Sequence, residues 1–244
     1  FFWYFSVPVF NVCSKFHDCT NVFYNYDRKM FKLNYMKIYL MRHEQRSDNK
    51  THTGLLAPEG LLRSKSLTKS NLKDLGITHI YCSPFKRCLQ TVGPYAEQHG
   101  LNIHIDYRIH EVIKSSLFKD YNSQKINEYT FRSYPVCSVQ RMTINYPETS
   151  KDIYTRTSNF MNNVVYKHKN TDDVVLICTH MGVIRHILDT YSYIKMGDII
   201  EINENRLKLF IKGLVNFFKD FFIYQFIDFS INFLFHRIIN ISAS

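Results

Sequence analysis

The chain has 244 residues, enough to bury the core of one α/β domain with short extensions, and its 45% hydrophobic and 21% charged content is ordinary for a soluble globular protein. Its formal charge of +10 is spread along the chain: residues 1–35 and 202–244 carry +2 each, leaving +6 for 36–201. That balance favours anionic partners: phosphate esters, nucleic acid or anionic lipid. The six cysteines form no C-x-x-C pair and no zinc-like spacing, which reads as free thiols in a reducing, cytoplasmic setting. The uncharged run at residues 1–14 lacks a basic segment and is too short to span a bilayer, so no secretory signal is expected.

Residues 1–35 sustain neither a period of 2 nor of 3.6 and read as an N-terminal extension; Met36 is a candidate translation start. From there the pattern alternates. A buried strand is predicted at 37–41, a helix at 58–75 closed by Gly76, a strand at 77–82, a helix at 85–99 stopped by Gly100, and a strand at 102–105. Residues 115–148 are polar, aromatic and irregular, like a lid over a site. A helix at 150–167, an apolar strand at 174–178 and a helix at 181–191 follow. This order implies a three-layer α/β/α sandwich with a mostly parallel central sheet over residues 36–201, binding ligand at the carboxyl ends of its strands. Residues 202–244 form a C-terminal extension in which Lys208, Lys212, Asn216 and Lys219 share one helical face. The segment reads as a tail packing on the domain, with membrane-surface contact through this face as the alternative; Asp228 breaks any clean apolar span.

Three predicted strand ends collect Arg42-His43, Ser83-Pro84-Phe85-Lys86-Arg87 and Thr179-His180. Two arginines offer planar forks for phosphate oxygens, and a neutral imidazole can attack phosphorus in line. Arg42-His43-Glu44-Gln45-Arg46-Ser47-Asp48-Asn49, the intact S-P-x-x-R-x-x-Q-T run from Ser83 to Thr91, the Arg108-Ile109-His110-Glu111 segment, Pro147-Glu148-Thr149 with Arg156, and Thr179-His180-Met181-Gly182 stand in that order. Over about residues 36–190 this pattern resembles the histidine phosphatase (phosphoglycerate mutase-like) superfamily. The resemblance implies a phosphoglycerate mutase-like fold with His43 taking the phosphoryl group, and Arg42, Arg87 and His180 holding its oxygens. It implies that Glu111 protonates the leaving oxygen and then activates water, holding its proton beside a dianion in a closed site. Asn49 matches a position near the substrate, and Arg46 a basic position that adds a phosphate contact.

One position departs from the family: Glu44 stands where glycine usually follows the nucleophile. A carboxylate about 5 Å from the phosphate, at an effective dielectric of about 20, would oppose binding by roughly 3 kcal/mol. Glu44 therefore points into the pocket and impairs it, points away, pairs with Arg46, or is protonated and shares the acid role. Other phosphate chemistries fit worse. The spacings from Cys82 to Arg87 and from Cys178 to Arg185 miss C-x₅-R, no phosphate-cradling glycine loop is present, and Ser47 replaces the second histidine of H-E-x-x-H. No metal, cofactor or nucleic-acid partner is expected. The chain reads as a phosphomonoesterase acting through phosphohistidine on a phosphorylated small molecule or protein. Phosphoglycerate mutase-type transfer and a degenerate phosphate-binding or membrane-surface adaptor are the alternatives.

Overall fold

A computed structural model describes residues 36–47, 54–67, 72–114, 128–203 and 205–207. The expectations for residues 1–35, Asn49, residues 115–127 and the basic face beyond residue 207 lie outside the described residues.

Six strands form one sheet: β1 (Lys37–Arg42), β2 (His79–Cys82), β3 (Ile103–Asp106), β4 (Val136–Gln140), β5 (Val174–Thr179) and β6 (Ile199–Glu201), in the spatial order β4-β3-β2-β5-β1-β6. All neighbours pair in parallel except β1 and β6. Among the described residues the α-helices of eight residues or more are α1 (Pro58–Ser66), α2 (Lys86–His99), α3 (Ser150–His168) and α4 (Met181–Leu188). Alternation along β1 assigns the two faces: Ile38 and Leu40 pack with Val175, Ile177, Phe160 and Ile184, whereas Tyr39 and Met41 pack with Leu176, Ile80, Leu89 and Val92. Both faces of the central strands are apolar, so the sheet must be covered twice, which makes the three-layer α/β/α sandwich.

Helix limits follow local chemistry. In α3, Thr149 Oγ1 accepts from the Asp152 N–H while the Asp152 carboxylate accepts from the Thr149 N–H, a reciprocal cap. Gly100 closes α2 in the left-handed region at φ 62°. Of the expected helix over 58–75, Pro58–Ser66 is helical among the described residues, whereas residues 72–75 form a turn in which the Leu75 N–H donates to the Leu72 carbonyl. Helix α4 stops at Leu188 rather than residue 191, because Asp189 turns left-handed at φ 50° and Thr190 N–H returns to the Arg185 carbonyl.

Two strands escape the hydrophobic pattern. β4 lies within the stretch expected to be irregular, at the sheet edge with its side chains half-buried or exposed, so no apolar run marks it. β6 is three residues long and pairs antiparallel along β1. Ile202 and Leu207, just beyond it, are buried in the core. Among the described residues no helix is long and apolar enough to cross a membrane.

Candidate active site

Parallel register places Arg42 opposite Thr179 and Cys82 opposite Cys178, so β1, β5 and β2 end on one rim. The ladder continues one residue further, with His43 N–H bonded to the Thr179 carbonyl and Ser83 N–H to the Cys178 carbonyl, each at 3.0 Å. His43, Arg87 and His180 are thereby fixed by main-chain bonds, or one helical turn from them. All three are buried, at 1%, 0% and 0% exposure. The His43 and His180 rings meet edge to face with centroids 5.3 Å apart.

His43 Nδ1 lies 2.7 Å from the Glu44 carbonyl oxygen, which can only accept, so Nδ1 carries the proton and Nε2 keeps its lone pair. Burial, and then the charge of Arg87, hold the His43 imidazolium well below the usual histidine range; Arg42 and Arg46 act in the same sense. The ring is therefore neutral at physiological pH. His180 is likewise kept neutral by burial and by Arg87. Its Nδ1 accepts from Arg87 Nη2 at 3.0 Å, and Nε2, 2.8 Å from Ser83 Oγ, then carries the proton. Arg42 donates to the Ile194 carbonyl, approaches the Tyr193 ring at 5.8 Å, and keeps a buried Nε without a partner among the described residues. Arg46 sits half-buried in an isolated bridge to Leu56, and its charge is felt at both His43 and His180.

Glu44 is buried and turned onto α1, where its carboxylate accepts from Arg63 Nε at 2.9 Å. Its main-chain N–H donates to Thr91 Oγ1. The same carboxylate rests on Gly197, where an added Cβ would fall 2.4 Å from Oε1. Gly197 has φ of +82°, a region open to glycine, and its N–H donates to the Arg42 and His43 carbonyls at 3.1 and 3.3 Å. Glutamate thus fits beside the nucleophile because Arg63 neutralises it and Gly197 leaves room.

Glu111 comes from a loop after β3. Its Oε2 lies 3.4 Å from both Arg87 Nη2 and His180 Nδ1. A buried ion pair holds this loop: Arg156 donates from Nε to Glu148 Oε1 at 2.6 Å and from Nη1 to the Arg108 and His110 carbonyls, while Glu148 Oε2 accepts from the Ile113 N–H. His110 Nδ1 donates to the Glu111 carbonyl at 2.6 Å. On the other side Gly182, at the start of α4, admits Val112 and Glu111, whose atoms lie 2.7 and 3.3 Å from where a Cβ would stand.

The structure thus brings His43, Glu111, His180, Arg42, Arg87 and Arg46 to one rim; Asn49 lies outside the described residues. Arg63, Tyr193, Ile194 and Gly197 are additions that no motif marks. Ser83 and Thr91 stand inside the motif of the second strand end, so their contacts had a local signal.

The chain matches the family model "Histidine phosphatase superfamily (branch 1)" over residues 38–206. It is 26% identical over 174 residues to "Probable phosphatase C1687.21" of Schizosaccharomyces pombe, covering 66% of this chain and 76% of that one. Its fold is similar to an ecdysone phosphate phosphatase from Bombix mori solved with tungstate (TM-score 0.54, 11% identity, 70% of this chain and 90% of that one). It is also similar to YhfR of Bacillus stearothermophilus (TM-score 0.51, 20% identity, 69% and 91%). With these matches the family is established: the chain belongs to the histidine phosphatase superfamily, in its first branch, and is an enzyme of the phosphatase and mutase type found there.

Proposed function

We propose that the chain is a cytoplasmic phosphomonoesterase that works through a phosphohistidine at His43 Nε2, on a phosphorylated small molecule or protein. The observation that carries this reading is the His43 Nδ1 contact with the Glu44 carbonyl, which leaves Nε2 as the nucleophile in a ring that burial keeps neutral. Nε2 attacks phosphorus in line as the ester P–O bond breaks, and the leaving oxygen takes the proton of the Glu111 carboxylic acid. Arg42, Arg87, Arg46 and His180 hold the phosphoryl oxygens and spread the charge of transfer. Asn49 enters this reading only through its match to a family position near the substrate. Water then attacks phosphorus as the P–Nε2 bond breaks and its electron pair returns to Nε2; the water proton goes to the Glu111 carboxylate, and inorganic phosphate leaves with His43 and the acid restored.

Glu111 Oε2, 3.4 Å from both Arg87 Nη2 and His180 Nδ1, stands beside the groups that hold the phosphoryl oxygens in this reading, which supports its part in proton transfer. The pairing of Glu44 with Arg63 on α1 supports turnover over the adaptor alternative. The cytoplasmic setting is supported by the described cysteines, all free: Cys82, Cys88 and Cys178 buried, and Cys137 exposed. The test is hydrolysis of an aryl phosphate by wild type and His43→Ala, with quenched samples assayed for acid-labile protein phosphate. Turnover and trapped phosphate that both vanish in the variant support the reading; equal rates would end it.

A further inference from the structure

At the opposite ends of β2 and β5 from the catalytic rim, three side chains of metal-ligating type converge. His79 opens β2, Asp173 immediately precedes β5, and His168 closes α3. His168 Nδ1 is 2.8 Å from Asp173 Oδ2, His79 Nδ1 is 3.5 Å from Asp173 Oδ1, and all three ligand atoms lie within 4.8 Å of one another. The imidazole centroids are 4.5 Å apart. The His168 side chain is buried at 2% exposure, whereas His79 and Asp173 are open to solvent at 31% and 24%, so an ion has both an anchored ligand and an entry path.

From this cluster we infer that the enzyme carries a second site, for a divalent transition metal of the zinc class, held by His79, His168 and Asp173. Two imidazoles and one carboxylate suit zinc and its late first-row neighbours, whereas magnesium and calcium prefer oxygen ligands throughout. In a tetrahedral shell with bonds of about 2.1 Å the ligand atoms stand roughly 3.4 Å apart. Of the Asp173 contacts, the 3.5 Å to His79 is already near that value, whereas the 2.8 Å to His168 must open and the imidazoles must close on one another, an adjustment the half-exposed His79 is free to make. Three protein ligands leave one position for water.

Hydrogen-bond partners surround the three ligands, and those of Asp173 and His168 persist when a metal binds. Thr171 Oγ1 donates to Asp173 Oδ2 at 2.7 Å, and Thr78 Oγ1 lies 3.0 Å from His79 Nδ1. Tyr81 Oη lies 3.0 Å from His168 Nε2. When the metal takes the Nδ1 lone pair of His168, the proton of that nitrogen moves to Nε2, where the Tyr81 oxygen accepts it. Thr78 gives up its contact with His79 Nδ1. Strand β5 is about 17 Å long, so an ion here stays clear of His43 and clasps the end of α3 to the starts of β2 and β5.

His43, Glu111 and His180 could also hold an ion, so the experiment uses the full chain carrying His43→Ala. Titration with Co²⁺ should give saturable binding of a single equivalent with visible ligand-field bands that Zn²⁺ abolishes, and Zn²⁺ should raise the melting temperature. Adding His79→Ala or, separately, Asp173→Asn should weaken binding by more than about tenfold and remove the thermal shift. In the presence of His43, His79→Ala should hydrolyse aryl phosphate at the wild-type rate. Absence of saturable binding in the His43→Ala protein, or binding unchanged by both further substitutions, overturns the proposal. So does a Zn²⁺ effect confined to turnover, which would place the ion at the catalytic rim.

Discussion

The two sides of the catalytic rim are built differently. His43, Arg87 and His180 stand at the ends of adjacent strands or in the first turn after one, where sheet hydrogen bonds set the backbone before any side chain is considered. Glu111 stands in a loop and is positioned by the buried Glu148–Arg156 pair, which reaches back across the chain to grip the Arg108 and His110 carbonyls. The nucleophile side draws its geometry from topology. The acid side depends on one ion pair, and should fail separately.

The largest expected effect breaks the nucleophile side alone: His43→Ala should lower aryl phosphate turnover by at least about a thousandfold while leaving the fold intact. On the acid side, Arg156→Met should cost about 3–5 kcal/mol in urea unfolding, since it strands the buried Glu148 carboxylate. The survivor should lose kcat more than KM as the Glu111 loop loosens; unchanged stability would refute the ion pair as the clamp. Glu111→Gln should lower kcat/KM, which reports transfer to His43 and not the later attack of water, by about a hundredfold or more for alkyl phosphates, yet spare kcat/KM for esters with activated aryl leaving groups, which need no proton. A uniform loss across leaving groups would deny Glu111 the acid role.

Smaller effects sharpen the comparison. Arg63→Ala should destabilise the protein by about 1–2 kcal/mol by leaving the Glu44 carboxylate poorly paired, and Glu44→Ala in the same chain should recover most of it. A double variant no better than the single one would sink the claim that the two residues compensate each other. Burial depresses His43, His110 and His180 well below the ordinary value of about 6.5, so the unfolded chain takes up protons there that the folded chain does not. Stability from these groups is complete above about pH 6.5 and falls with pH through their lower folded values. Urea midpoints should therefore drop between neutral and mildly acidic pH, less steeply in His110→Asn.

Legibility tracked locality. β1, β2, β3, β5 and the starts of α1, α2, α3 and α4 were readable because apolar runs and stop signals such as Gly100 act within a few residues. β4 and β6 were not, because an edge strand and a three-residue strand owe their existence to a neighbour's hydrogen bonds and bury too little to show a pattern. The same division runs through the site. His43 and Arg87 lie in runs of adjacent motif residues, whereas the fate of Glu44 was undecided until Arg63 and Gly197 were placed around it.

By itself the sequence determined the α/β alternation, the superfamily, and the residues that collect at strand ends, since these follow from local pattern and motif order. Only the tertiary structure decided which way the Glu44 carboxylate turns, what holds Glu111 beside Arg87, and that His79, His168 and Asp173 meet at the far end of the sheet. The reason is physical. Hydrophobic period and capping act over one or two turns of chain, whereas a buried charge is settled by whichever counter-charge packing delivers to it, and that partner can lie anywhere in the sequence.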